Sequence, residues 1–355
     1  MKGIAIAVTA AGCAGLLWLG CDSRGFSPTE GGVVPRQRDR SLDGGFPAPD
    51  GPTGAAAGIV YAANAESRIA GVKAYAEYQG VETLTGPAGD FVLGGIPVGR
   101  QIIHFEKGIF ATTVEAVIEE GMTTYIDVPI ALEVDAGKIA IVRGSYDSIE
   151  EVLERLGYYG FAMYNGMGWD ASSEKNIATL VGNAREMEKY YAVFLNCGVS
   201  TDGATDPEVK AALRAYTAGG GKLYASDWAY DYVEQAFPDH ITFFGDDLTP
   251  HSAAAGMSGV IPGIVMDGPL GAYLGKSEVE LNYNLGQWVV TTDSGPETKV
   301  YVKGNVPDPE VPGAPLLVSF SEGDQGGRVV YTTFHNEAQT SADMDAILEF
   351  LVFDF

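Results

Sequence analysis

Pro207-Glu208-Val209-Lys210-Ala211-Ala212-Leu213-Arg214-Ala215-Tyr216-Thr217-Ala218-Gly219-Gly220-Gly221-Lys222-Leu223-Tyr224-Ala225-Ser226-Asp227-Trp228-Ala229 reads as a helix, a turn and a buried strand in one run. Proline is pre-set for a first helical turn and glycine ends a helix at low cost. The same alternation extends upstream through the apolar strand Lys138–Val142 and a helix over Ser148–Gly157, with serine at its capping position. Strands follow at Tyr159–Tyr164 and Tyr191–Asn196. Downstream come a helix through Phe237 and a closing strand and helix, Gly327–His335 through Phe350. Alternating strands and helices predict a parallel sheet covered on both faces. Residues 137–355 are therefore expected to form a three-layer α/β domain with a mainly parallel sheet. A β-rich insertion is expected at about 246–326, with strands at Val260–Pro262, Val279–Tyr283, Gln287–Val290, Lys299–Val302 and Leu316–Phe320. Asp308–Gly313 reads as a loop.

Residues 56–134 have a different rhythm. Short β-rich runs such as Ile59–Tyr61, Val72–Ala76, Phe91–Leu93, Ile102–Phe105, Thr112–Val117 and Thr124–Val128 are separated by turn residues. They predict a small all-β, two-layer antiparallel sandwich. The phrases Gly58-Ile59-Val60, Ile69–Tyr75 and Thr85-Gly86-Pro87-Ala88-Gly89-Asp90-Phe91-Val92-Leu93-Gly94-Gly95-Ile96-Pro97-Val98-Gly99 resemble the carboxypeptidase regulatory-like domain. That resemblance implies a transthyretin-like sandwich, an accessory module in exported bacterial proteins. His104, between Ile103 and Phe105, reads as a packed strand histidine.

Ahead of the sandwich, Lys2 precedes an apolar run, Ile4–Gly20, that ends at Cys21. Leu19-Gly20-Cys21 resembles the end of a bacterial lipoprotein signal, which implies cleavage before Cys21 and lipidation of that cysteine. The run is short for a membrane span, which favours a processed export signal over residues 1–21. Residues 22–55 are rich in Gly, Pro, Ser and Asp without apolar periodicity, so they are expected to be a disordered tether. The expected location is extracytoplasmic, anchored to a membrane by lipid.

The charge excludes one class of partner. The chain has 47 acidic and 22 basic residues, a net charge of −25. Loss of Lys2 with the signal would make the field more negative still, and such a field repels nucleic-acid backbones. Of three cysteines, only Cys197 would remain as a free thiol in the processed chain, so no disulfide framework is available. Asp239-His240, Pro250-His251 and Gly245-Asp246-Asp247 lack a recurrent ligand spacing, so neither a metal site nor a cofactor is expected.

The order of elements from residue 137, with Leu195-Asn196-Cys197-Gly198 and Gly219-Gly220-Gly221-Lys222, is similar to that of the class I glutamine amidotransferase-like superfamily. The resemblance implies a flavodoxin-like sheet and a nucleophile on a tight strand-to-helix elbow bracketed by small residues. Ala225 and Ala229 bracket Asp227, so a carboxylate stands where that family carries a thiol. His335-Asn336-Glu337 matches the family's general base and its orienting carboxylate. By the same resemblance Asn196, Cys197, Gly198, Ser226 and Trp228 are candidate binding residues.

Three readings of Asp227, His335 and Glu337 remain open: an inert site in which Asp227 pairs or caps, a ligand cleft at the carboxyl ends of the strands, and an atypical hydrolase of amide, peptide or carbohydrate-linked bonds that uses Asp227 with His335 and Glu337, or Ser226 in an elbow that would put Tyr224 and Trp228 at the restricted positions. The expected function is a non-catalytic binding or scaffolding module for a protein, peptide or glycan ligand. The Cys21 reading predicts that cells fed a labelled fatty acid incorporate it into the wild-type chain and not into Cys21→Ala. Equal labelling of both chains, or labelling of neither, contradicts it.

Overall fold

A computed structural model of the chain describes residues 51–77, 80–245, 248–335 and 341–354. The signal, Cys21, most of the tether and Glu337 lie outside the described residues. The described residues all belong to one compact unit. Among the described residues no helix is long and apolar enough to cross a membrane.

The first part is a sandwich of two small sheets. Its strands are β1 (Thr53–Tyr61), β2 (Lys73–Ala76), β3 (Glu82–Leu84), β4 (Asp90–Pro97), β5 (Gly99–Lys107), β6 (Phe110–Ile118), β7 (Thr123–Tyr125) and β8 (Ile130–Ala131). One sheet runs β4-β1-β7 with β8 also on β1, and the other runs β3-β2-β5-β6. Alternation along β4 buries Phe91 and Leu93 and exposes Val92, so one face packs inward. Phe91 meets Phe105 of the facing sheet edge to face, with ring centroids 5.1 Å apart.

Two expectations need correction. The sandwich is not wholly antiparallel, because β1 pairs in parallel with β7 and β8. The first strand also begins at Thr53, inside the stretch read as tether. Its second residue is glycine because a side chain at Gly54 would sit 2.2 Å from the Glu119 carbonyl oxygen. A strand selected for close approach carries little apolar signal.

The second part is built on a nine-stranded sheet. Its parallel half contains β9 (Ile139–Arg143), β10 (Ala162–Asn165), β11 (Ala192–Leu195), β12 (Lys222–Ser226) and, near the end of the chain, β21 (Gly327–Thr332). These lie in the order β10-β9-β11-β12-β21, all parallel. In this half the strand order reverses beside β9, as in doubly wound sheets that bind ligands outside the carboxyl ends of their strands. Ile139, Ala140, Ile141 and Val142 are all inaccessible to solvent, as covering on both faces requires. The intervening helices are α1 (Ile149–Arg155), α2 (Ile177–Val181), α3 (Ala184–Met187), α4 (Pro207–Ala218) and α5 (Tyr230–Ala236). Asp206 caps α4 by accepting a hydrogen bond from the Glu208 N–H at 2.8 Å, and Pro207 opens the helix. Ser148 makes no side-chain cap on α1; its own N–H donates to Asp147 Oδ1 at 2.8 Å.

Between α5 and β21 the chain adds β13 (Ile241–Phe243), β14 (Ala254–Gly256), β15 (Gly259–Val265), α6 (Gly268–Leu274), β16 (Glu278–Tyr283), β17 (Trp288–Val289), β18 (Thr291–Ser294), β19 (Lys299–Pro307) and β20 (Glu310–Glu322). Strands β20, β19, β15 and β16 extend the sheet antiparallel from β21. Glu310–Gly313, read as loop, belongs to β20. Its proline and glycine disguise a strand that irregular pairing with β19 accommodates. Helix α7 (Ala342–Asp354) closes the described chain.

Sandwich and α/β parts share one apolar cluster. Phe110 of β6 packs on Tyr158 after α1 and on Phe353 of α7, with centroids 4.8 and 4.9 Å away. The Tyr158 hydroxyl donates to the Leu132 carbonyl at 3.0 Å, and Asn64 Nδ2 donates to the Arg155 carbonyl at 2.9 Å. Phe353→Ala is expected to cost about 3–5 kcal/mol and Tyr158→Phe about 1 kcal/mol. Urea unfolding checks both, and a single transition is expected because the two parts bury one core; separate transitions would contradict it.

Candidate functional site

The site lies at the carboxyl ends of β11, β12 and β21. Ser226 closes β12 in extended backbone, at φ −119°, and Asp227 then turns the chain at φ +42°. That left-handed conformation is rare for a residue with a side chain and persists only where the surroundings enforce it. The elbow apex is therefore Asp227 and not Ser226. The Ser226 hydroxyl is turned away from the cleft: it donates to Asp147 Oδ2 and accepts the Cys197 N–H at 3.0 Å.

Asp227 is almost completely buried, and neighbouring elements hold each of its oxygens. Oδ1 accepts the Val289 N–H of β17 at 2.7 Å, and the backbone carbonyl accepts the Tyr331 hydroxyl of β21 at 3.2 Å. Oδ2 accepts the Cys197 thiol at 3.4 Å and lies 3.6 Å from His335 Nε2. Among the described residues, Cys197, Asp227 and His335 form the group whose potential metal-ligand atoms all lie within 4.8 Å of one another. Their convergence needs close loop approach. A side chain at Gly144 would sit 1.9 Å from the Cys197 carbonyl oxygen, and Gly198 takes φ +83° against Ser145 and Tyr146.

Burial pushes the Cys197 thiol well above its usual range, and the Asp227 charge adds to that shift. The sulfur is a thiol at neutral pH. Burial pushes His335 down to about 4, so its imidazole is neutral near pH 7. Its approach to Asp227 is then a contact with a neutral ring, despite an ion-pair-like separation.

Beside Asp227 and His335 opens a cavity of about 250 Å³. Its lining includes Tyr146, Trp228, Asn282, Tyr283, Gln287 and Trp288. Trp288 stacks on Tyr283 at 3.9 Å and donates from Nε1 to the Met257 carbonyl at 2.8 Å. The Tyr283 hydroxyl bonds the Thr333 hydroxyl at 2.7 Å. Trp228 is half-buried at the rim and donates to the Gln287 carbonyl at 2.7 Å. The wall is thus aromatic and fixed, with amide groups from Asn282 and Gln287 nearby.

Of the residues singled out from sequence, Asp227, His335 and Trp228 line this cavity. Asn196, Cys197, Gly198 and Ser226 form its backing rather than its lining. Asn196 is wholly buried, donating to the Asp147 carbonyl at 3.2 Å and to Glu150 at 2.9 Å. His104 stacks on Tyr75 at 4.9 Å and His240 on Phe320 at 3.8 Å, while His251 lies 3.5 Å from Asp231. The wall residues from Asn282 to Trp288 escaped sequence reasoning. Their signal is the run Asn282-Tyr283-Asn284-Leu285-Gly286-Gln287-Trp288, dense in amide and aromatic groups.

No protein-family model matches the sequence, and no curated protein matches it. Among solved structures, the mmIFT52 N-terminal domain is 9% identical, covering 59% of this chain and 93% of its own, with a TM-score of 0.38. A GMP synthase subunit from Thermoplasma acidophilum is 12% identical over 61% of this chain and 92% of its own, at 0.39. A glutamine amidotransferase from Thermotoga maritima is 9% identical over 56% and 74%, at 0.35. At such identities and TM-scores, none of these likenesses bears on what this chain does.

The apex geometry predicts a graded response to substitution. Asp227→Asn keeps an oxygen for Val289 N–H and tolerates positive φ, so a loss of about 1 kcal/mol is expected. Asp227→Val places a β-branched residue at the same φ and removes the acceptor, with an expected loss of ~3 kcal/mol or more. Urea midpoints of the two variants check the order, and equal losses would contradict it.

Proposed function

We propose that this chain is a lipid-anchored extracytoplasmic protein whose cleft binds a neutral, polar ligand of carbohydrate type without turning it over. The observation that carries the reading is the cleft itself: a fixed aromatic wall with amides beside it, next to an elbow whose apex is a carboxylate. Tyr283 and Trp288 are buried against each other, so it is the partly exposed Trp228 ring that can take an apolar face of a sugar, and the amides can take its hydroxyls. The strong negative charge disfavours anionic ligands. Ser226 is committed to Asp147 and Cys197 lies behind Asp227, which supports binding rather than acyl transfer. The sheet order, the positive φ at the elbow and a histidine after the last parallel strand support kinship of the α/β part with the class I glutamine amidotransferase-like superfamily. The two-sheet packing of 53–131 supports a carboxypeptidase regulatory-like module.

A second reading, a hydrolase using Asp227 and His335, draws support from their 3.6 Å approach at the cleft floor. Calorimetric titration of the full chain with neutral oligosaccharides and with peptides separates the two. Saccharide binding without cleavage is expected, weakened about tenfold or more in Trp228→Ala. Binding of peptides alone, or product release lost in Asp227→Asn, would overturn the proposal.

A further inference from the structure

We propose that Cys197, Asp227 and His335 form a binding site for a zinc-type divalent metal ion on the floor of the cleft. The three ligand atoms come from the carboxyl ends of three adjacent parallel strands and already lie close to coordination spacing. Zinc bonds of about 2.0–2.3 Å in a tetrahedron place neighbouring ligand atoms about 3.3–3.8 Å apart. Cys197 Sγ and His335 Nε2 lie 3.4 and 3.6 Å from Asp227 Oδ2, and no pair of the three exceeds 4.8 Å. Sulfur, imidazole nitrogen and carboxylate oxygen together suit a borderline ion such as Zn²⁺ or Co²⁺ and not Mg²⁺ or Ca²⁺, which take oxygen shells.

The surroundings hold these ligands in place. Asp227 Oδ1 is tied to the Val289 N–H at 2.7 Å, which aims Oδ2 at the other two groups. The Cys197 N–H is tied to Ser226 at 3.0 Å. Such supporting bonds orient metal ligands and strengthen binding. Because Asp227 and His335 also line the cavity, a fourth position faces the cleft, where a water or a donor atom of a bound ligand can coordinate. On binding, the sulfur–metal bond forms as the thiol proton leaves to solvent, while His335 Nε2 and Asp227 Oδ2 supply lone pairs.

The inference goes beyond the binding reading and stands whether or not the cleft takes a sugar. The test is titration of the chelator-stripped full chain with Co²⁺. One ion per chain is expected, with a thiolate-to-cobalt charge-transfer band in the near ultraviolet and strong visible bands of tetrahedral cobalt, both erased by Zn²⁺. Cys197→Ser should abolish the charge-transfer band. Asp227→Asn and His335→Gln, which keep every thiol, should weaken binding at least ~100-fold, beyond the effect of losing a supporting group. Circular dichroism confirms that each variant is folded, and the wild-type spectrum decides the matter even where a variant is not. Absence of the band in wild type, or its survival in the Asp227 and His335 variants, would overturn the site. Cobalt binding without saccharide binding would strike the cleft reading alone, and the reverse outcome would strike the metal site alone.

Discussion

The bond from the Val289 N–H to Asp227 Oδ1 joins an inserted strand to the turn at the end of a central parallel strand. A buried carboxylate oxygen without a donor is costly, so this contact holds β17 against the elbow and sets where the insertion stands. Val289 follows Trp288 directly, and Trp288 stacks on Tyr283, so the aromatic wall takes its position from the same contact. The Tyr331 hydroxyl on the Asp227 carbonyl fixes the turn from the opposite side. The left-handed backbone at Asp227 is sustained by partners from two other segments and not by its own preference.

The parallel half of the sheet was legible because its punctuation and its burial agree. Proline and aspartate start α4, glycines end it, and β9 and β12 are apolar runs with no alternation, as strands covered on both faces must be. The elbow was legible as well, since Ala225 and Ala229 can flank a tight bend and Tyr224 and Trp228 cannot do so as easily. Other features depend on pairings that no local pattern records. The start of β1 carries little apolar signal because Gly54 lies where a side chain would meet the Glu119 carbonyl. Parallel pairing of β7 and β8 with β1 follows from chain path, and Ser148 precedes α1 without capping it through its side chain.

The cleft was the least legible part. Cys197, Asp227 and His335 could each be singled out in sequence, but their convergence depends on three neighbouring strands ending at one level, which no local pattern records. That Cys197 is the remaining thiol of the processed chain says nothing about which groups its sulfur faces. The wall from Asn282 to Trp288 sits in an insertion whose strands prolong the sheet, so its place could not come from alternation of strand and helix. Glycines at 144 and 198 complete the arrangement by allowing two loops to touch where any side chain would hold them apart.

The packing of Phe110, Tyr158 and Phe353 has a mechanical consequence. A sandwich joined to its neighbour by a bare linker would swivel, and a pull at its leading strand would be spent in reorientation. Here the aromatic trio and the bonds from Asn64 and Tyr158 remove that hinge. A displacement of β6 is therefore passed to Tyr158 and to α7 by direct ring contact rather than through a flexible linker.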